Sequence, residues 1–90
     1  MRRAIELTVY GPLRAATGTK RVNVDPDDGT VRGVVEAFVA AYPSAESHLV
    51  DEDGALRPSV RVTVDGGQVG LDDDCPPGAA VALFPAMRGG

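Results

Sequence analysis

One cysteine, one histidine, one lysine and no tryptophan occur in the 90 residues, and each scarcity closes off a class of protein. A single thiol cannot form an internal disulfide, which sets aside the disulfide-stapled secreted scaffolds. Two tyrosines and two phenylalanines, with no basic stripe, offer neither a stacking platform nor an electrostatic footprint for nucleic acid. No apolar stretch approaches the length of a signal-peptide core or a membrane span, so no membrane partner is expected and the cytoplasm is the expected compartment. No glycine-rich phosphate loop lies where a strand hands over to a helix; Gly66-Gly67 reads as a turn, and no cofactor is expected to bind this chain.

What remains is 43% hydrophobic and 24% charged, the balance of one small globular domain. Such a domain holds a single core but no cleft between lobes, so an autonomous enzyme is not expected. The net charge of -4 favours a basic surface on a partner.

Ile5, Leu7 and Val9 alternate with Glu6, Thr8 and Tyr10, the period of a half-buried strand, and Gly11-Pro12 ends it. After a loop through Gly18, residues 20–24 alternate again, and so short a connection suits an antiparallel hairpin. Asp25-Pro26-Asp27-Asp28-Gly29 is turn chemistry, and Thr30 is placed to cap a helix. Val31, Val34, Val35, Phe38, Val39 and Tyr42 then recur at three- and four-residue steps until Pro43 stops the helix. Gly33 within it costs up to about 1 kcal/mol relative to alanine, which predicts either close packing or simple tolerance.

Residues 45–50 predict a short helical turn that sends Leu49 inward, and Asp53-Gly54 a tight turn. Val60, Val62 and Val64 alternate with Arg61 and Thr63. Asp65-Gly66 signals a hairpin, because a type I′ turn needs positive φ at both central residues, and a brief return strand is expected over 68–70. The last strand, Ala79 to Phe84, follows a turn region running from Asp72 to Gly78. Its nearly continuous apolar run predicts a central strand covered on both faces. The order strand, strand, helix, strand, short strand, strand is no repeated βαβ unit. Laying the last strand parallel to the first, with the helix across one face, gives an α+β protein with a mixed sheet of four to five strands, the β-grasp or ubiquitin-like architecture.

The chain stops at Arg88-Gly89-Gly90. Glycine is abundant, 11 of 90, so the pair alone carries little weight; its position carries more. Pro85 ends the strand by removing a ladder donor, and residues 86–90 form a tail able to extend about 17 Å beyond a domain of residues 1–85. Two residues without Cβ atoms can thread a channel closed to any side chain and present the Gly90 carboxylate to an enzyme beyond it.

The ending Val81-Ala82-Leu83-Phe84-Pro85-Ala86-Met87-Arg88-Gly89-Gly90 resembles that of the MoaD/ThiS family of ubiquitin-like sulfur carriers, a group that includes the molybdopterin-synthase small subunit. Small archaeal modifier proteins share these features. Length, element order and the Leu13-Arg14-Ala15-Ala16-Thr17-Gly18 stretch match as well. The resemblance implies that an E1-like enzyme adenylates Gly90, with ATP and magnesium used by that partner. The acyl group then becomes a thiocarboxylate through a sulfurtransferase or synthase large subunit, or is joined to lysines of target proteins. The tail departs from the family pattern at Ala86, Met87 and Arg88, where a second proline, a valine and a small residue are usual. Arg88-Gly89-Gly90 is instead similar to the ubiquitin ending, where arginine can meet acidic groups on an activating enzyme.

The tail and partner-binding residues expected on this basis are Phe84, Pro85, Met87, Arg88 and Gly89, with Gly90 as the activated terminus. Arg88 is either a contact or a solvated charge. Phe84 is either an exposed apolar contact or a second core residue. Two functions stand open: a sulfur carrier feeding cofactor biosynthesis or tRNA thiolation, and a protein modifier forming isopeptide bonds. The alternative is an interaction module with an inert tail.

The side chains themselves hold no evident catalytic group. Cys75 follows three aspartates whose field should raise its pKa, and it reads as a plain loop cysteine with no reason to adjoin His48. Asp72 to Asp74 lack the spacing and the bidentate glutamate of a calcium loop, so no metal is expected. Arg2 and Arg3 read as surface charges.

Overall fold

The structure, a computed structural model, describes residues 5–26, 28–58 and 60–84. Strand β1 (Ile5–Val9) is followed by helix α1 (Pro12–Thr17), strand β2 (Arg21–Val24) and the main helix α2 (Val31–Ala41). A 3-10 turn (Pro43–Ala45) leads into the short helix α3 (Glu46–Leu49). Strands β3 (Arg61–Val64), β4 (Gly67–Val69) and β5 (Ala80–Phe84) complete the chain. The five strands form one mixed sheet in the order β2-β1-β5-β3-β4. Strands β1 and β5 run parallel, with Leu7 opposite Val81 and Val9 opposite Leu83, while every other pair is antiparallel. This is the expected β-grasp.

Alternation places Ile5, Leu7, Val9, Val62, Val81 and Leu83 on one face, where they form one buried core with Val31, Val34, Val35 and Phe38 of α2. Full burial of each such side chain contributes about 1.5–3 kcal/mol, so this face holds the helix to the sheet. Leu49 is buried too, as the sequence requires of the helical turn around it.

The first turn of α2 has all four of its N–H groups satisfied. The Thr30 hydroxyl caps the Gly33 N–H at 3.1 Å, and the Thr30 carbonyl accepts from Val34 at 3.2 Å. The remaining two donate into the loop before β5: Val31 to the Asp73 carbonyl and Arg32 to the Leu71 carbonyl, both at 2.9 Å. That loop is thereby fixed to the helix start.

The hairpin at Asp65-Gly66 also forms as expected. Asp65 has φ 51° and Gly66 φ 89°, and Val64 pairs with Gly67. The return strand lies one residue earlier than the sequence suggests.

Two expectations are corrected. The stretch after Gly11 is a helix, not a loop: Pro12 occupies its first turn, and Gly18, at φ 75°, closes it with an N–H bond to the Arg14 carbonyl at 2.9 Å. Six residues are too few to display a helical period, although Leu13 is buried beneath them.

Strand β5, in turn, is covered on one face only among the described residues. Val81 and Leu83 enter the core, whereas Ala80, Ala82 and Phe84 lie on the opposite side. The apolar run combines core residues with a set small enough to leave on an open face.

Candidate functional site: the open face at the end of strand β5

The face of the sheet away from α2 is built by the residues that alternation rejects from the core. Register sets Thr8 beside Ala82 and Ala82 beside Thr63, and Phe84 opposite Arg61. On the outer strand, Arg21 lies opposite Thr8 and Asn23 opposite Glu6. The centre of this face is small and uncharged, with arginines at two of its margins.

Phe84 is the last described residue and one of two large apolar side chains exposed among those described, at 37%; the other is Tyr10, at 38%. They meet. Their ring centroids are 4.8 Å apart with 7° between the planes, a stacked pair bridging the ends of β1 and β5. Each ring shields one side of the other and leaves the rest to solvent, so the pair presents a flat apolar platform where the tail begins. Phe84 is therefore an exposed residue and not a second core residue.

Pro85, Ala86, Met87, Arg88, Gly89 and Gly90 lie outside the described residues, as do Arg2 and Arg3. Tyr10 is the residue that sequence reasoning missed. Its place on the outer face was legible in the alternation with Ile5, Leu7 and Val9, but its partner lies 74 positions away, and only the parallel β1–β5 register joins them.

Cys75 differs from its expected character. It is 2% exposed and packs with the core, while its N–H donates to the Gly29 carbonyl at 2.6 Å. Burial pushes its thiol pKa up first, and the Asp65 charge adds to this; Asp72, Asp73 and Asp74 are not the cause. A buried, protonated thiol is a poor nucleophile.

The aspartates have local tasks. Asp72 pairs with Arg32 at 2.9 Å, and the Asp73 carboxylate accepts the Gly70 N–H at 2.6 Å. Among the described residues no group of His, Cys, Asp and Glu is arranged to hold a metal ion, and no helix is long and apolar enough to cross a membrane.

Comparison with known proteins gives a consistent result. Small archaeal modifier protein 3 of Haloferax volcanii is 34% identical over 92 residues, which cover 96% of this chain and 98% of that protein. The crystal structure of SAMP1 from Haloferax volcanii matches with a TM-score of 0.88 at 33% identity, over 97% of this chain and 99% of that one. A chain of the Amycolatopsis orientalis BexX/CysO complex matches with a TM-score of 0.80 at 25% identity, over 97% of this chain and 100% of that one. Residues 7–90 match the ThiS family, and with a ubiquitin-like β-grasp whose central strand leads into the diglycine ending, the chain belongs to that family.

Proposed function

We propose that this chain is a ubiquitin-like protein activated at Gly90 by an E1-like enzyme, then used as a thiocarboxylate sulfur carrier, as a modifier joined to lysines, or as both. The observation that carries this reading is the central strand β5, which ends at the exposed Tyr10–Phe84 stack six residues before the terminal glycine. A domain of residues 1–85 offers the partner a rigid face, and residues 86–90 serve as the reach.

The chemistry asks little of the domain. A carboxylate is a poor electrophile because oxide is a poor leaving group, and attack of the Gly90 carboxylate on the α-phosphate of ATP, releasing pyrophosphate, replaces that leaving group with AMP. A sulfur nucleophile then displaces AMP to give the thiocarboxylate, or a lysine amine displaces it to give an isopeptide bond and a proton. ATP and magnesium belong to the partner enzyme. On this carrier, Phe84 and Tyr10 supply apolar docking area, Pro85 and Met87 extend it along the tail, Gly89 admits the backbone to the enzyme channel, and Arg88 meets an acidic group near its mouth. Similarity to a small archaeal modifier protein supports the modifier branch, and membership of the ThiS family supports the carrier branch.

Pyrophosphate exchange with the E1-like enzyme and ATP tests the proposal. Exchange is expected with the native chain and is lost when Gly89 and Gly90 are deleted. Gly89→Val is expected to abolish exchange while leaving thermal unfolding unchanged, because a branched Cβ blocks the channel. Undiminished exchange after the deletion would refute activation at Gly90.

A further inference from the structure

Lys20 is the only lysine of the chain, it is exposed, and its backbone is held from both sides. Its carbonyl accepts the Val9 N–H at 2.9 Å, which extends the β1–β2 pairing one residue beyond the Thr8–Arg21 pair. Just before it, the Thr17 hydroxyl donates to the Thr19 carbonyl at 2.6 Å and accepts the Thr19 N–H at 3.2 Å, closing the turn that delivers the chain to Lys20.

Val9 is also the parallel partner of Leu83. Lys20, Val9 and Leu83 therefore form one row across the sheet, and two strand spacings put the Lys20 backbone about 10 Å from that of Leu83. Because β1 and β5 run parallel and β2 runs against β1, this row lies at the end of the sheet where β5 hands over to the tail. Six residues follow Phe84 and can span up to about 20 Å. The Lys20 amine is thus within reach of the Gly90 carbonyl carbon of its own molecule.

We propose that Lys20 is an acceptor for the Gly90 acyl group of the same chain, closing an isopeptide ring over residues 20–90. The inference rests on the activation of Gly90 proposed above and adds the amine that captures the acyl group when no sulfur nucleophile or target lysine does. In this step the neutral Lys20 amine forms a bond to the Gly90 carbonyl carbon and the bond from that carbon to the AMP oxygen breaks. AMP leaves with the electron pair, and the amine proton passes to water. A tether this short holds the two groups at an effective concentration of about millimolar, above that of a dilute acceptor on another protein. The ring has neither a free terminal carboxylate nor a lysine amine, so it can be neither adenylated again nor extended through Lys20. Ring closure retires the carrier as a monomer where activated chains would otherwise polymerise.

The test takes two routes to an activated terminus: the full chain prepared as a Gly90 thioester of mercaptoethanesulfonate, with no enzyme, and the full chain incubated with the E1-like enzyme and ATP. Intact mass is expected to show a monomer lighter than the free chain by one water. Trypsin, cutting after Arg88, should leave Gly89-Gly90 on Lys20. The yield should not depend on protein concentration, and it should fall about tenfold when urea unfolds the thioester chain, since the fold brings the two groups together. Lys20→Arg should abolish the ring and keep pyrophosphate exchange. No ring from the thioester chain, closure through Met1, equal closure in urea, or a native chain that exchanges pyrophosphate and yields only dimers or no ring would overturn the proposal. Closure of the thioester chain without exchange in the enzyme arm would uphold Lys20 as acceptor and refute activation by that enzyme, which separates the two failures.

Discussion

Replacing Gly33 with alanine is expected to destabilise this protein, although removing a glycine from a helix interior ordinarily gains about 1 kcal/mol. Gly33 is buried in the first turn of α2, and a Cβ placed there overlaps the Asp28 carboxylate. That carboxylate accepts the Thr30 N–H at 3.0 Å and the Thr30 hydroxyl proton at 2.6 Å, and the same hydroxyl oxygen caps the Gly33 N–H. Moving the carboxylate aside sacrifices both bonds and loosens the cap. Hydrogen bonds to a charged acceptor contribute about 1.5–3 kcal/mol each, and the exposure of this pair discounts their sum to about 2–3 kcal/mol. Subtracting the helix gain leaves a net loss of about 1–2 kcal/mol, a fall in Tm of about 4–15 °C for a domain of this size. Thermal and urea unfolding followed by circular dichroism would measure it. The same substitution in an Asp28→Ala background has no carboxylate to displace and should stabilise by about 1 kcal/mol. A rise in Tm from Gly33→Ala in the native background, or an equal change in both, would refute the reasoning.

Tyr10→Ala and Phe84→Ala should show a coupling of about 0.5–1.5 kcal/mol in a double-mutant unfolding cycle, with Tyr10→Phe nearly neutral; strictly additive effects would mean that the rings do not interact. Cys75 has a folded pKa raised above its unfolded value, so the two states bind the proton equally below the ordinary thiol range. Above that range the unfolded state releases it first. Denaturant titrations at rising alkaline pH should therefore show stability falling with a slope that Cys75→Ala reduces, and an unchanged slope would count against burial as the cause. If the protein joins lysines, Lys20→Arg should remove any self-linked chains made through a lysine while sparing conjugates to other proteins, as peptide mapping would reveal.

Period and punctuation carried most of the fold. The stripe of α2, the Thr30 cap, the Asp65-Gly66 turn and the central place of β5 were all legible because each is a local pattern with one physical solution. Helix α1 was not, since a turn and a half shows no period and its only marks were Pro12 and Gly18. The open face of β5 was hidden for another reason: alanine is compatible with both core and surface, so Ala80 and Ala82 made a one-sided strand look two-sided. The site was half legible. Phe84 was picked out by its place before the tail, while Tyr10 required knowing which residues meet across 74 positions of chain. The burial of Cys75 was likewise invisible beside three aspartates and two prolines, because the contacts that enclose it come from the core.

The position of β5 also governs when the molecule can exist. Hairpin β1–β2 and hairpin β3–β4 do not pair with each other; each is joined to the sheet only through β5, made after both. A nascent chain that has not released residues 80–84 from the ribosome has two hairpins and a helix with no common sheet to close them. Its decisive pairing, Leu7 with Val81, spans 74 residues, so folding awaits a late and distant contact. A product cut short before this strand lacks the pairing that joins the two hairpins, and only a chain that runs through Phe84 carries the residues that follow it. Synthesis is thus inspected by topology: the strand that closes the sheet certifies the message it precedes.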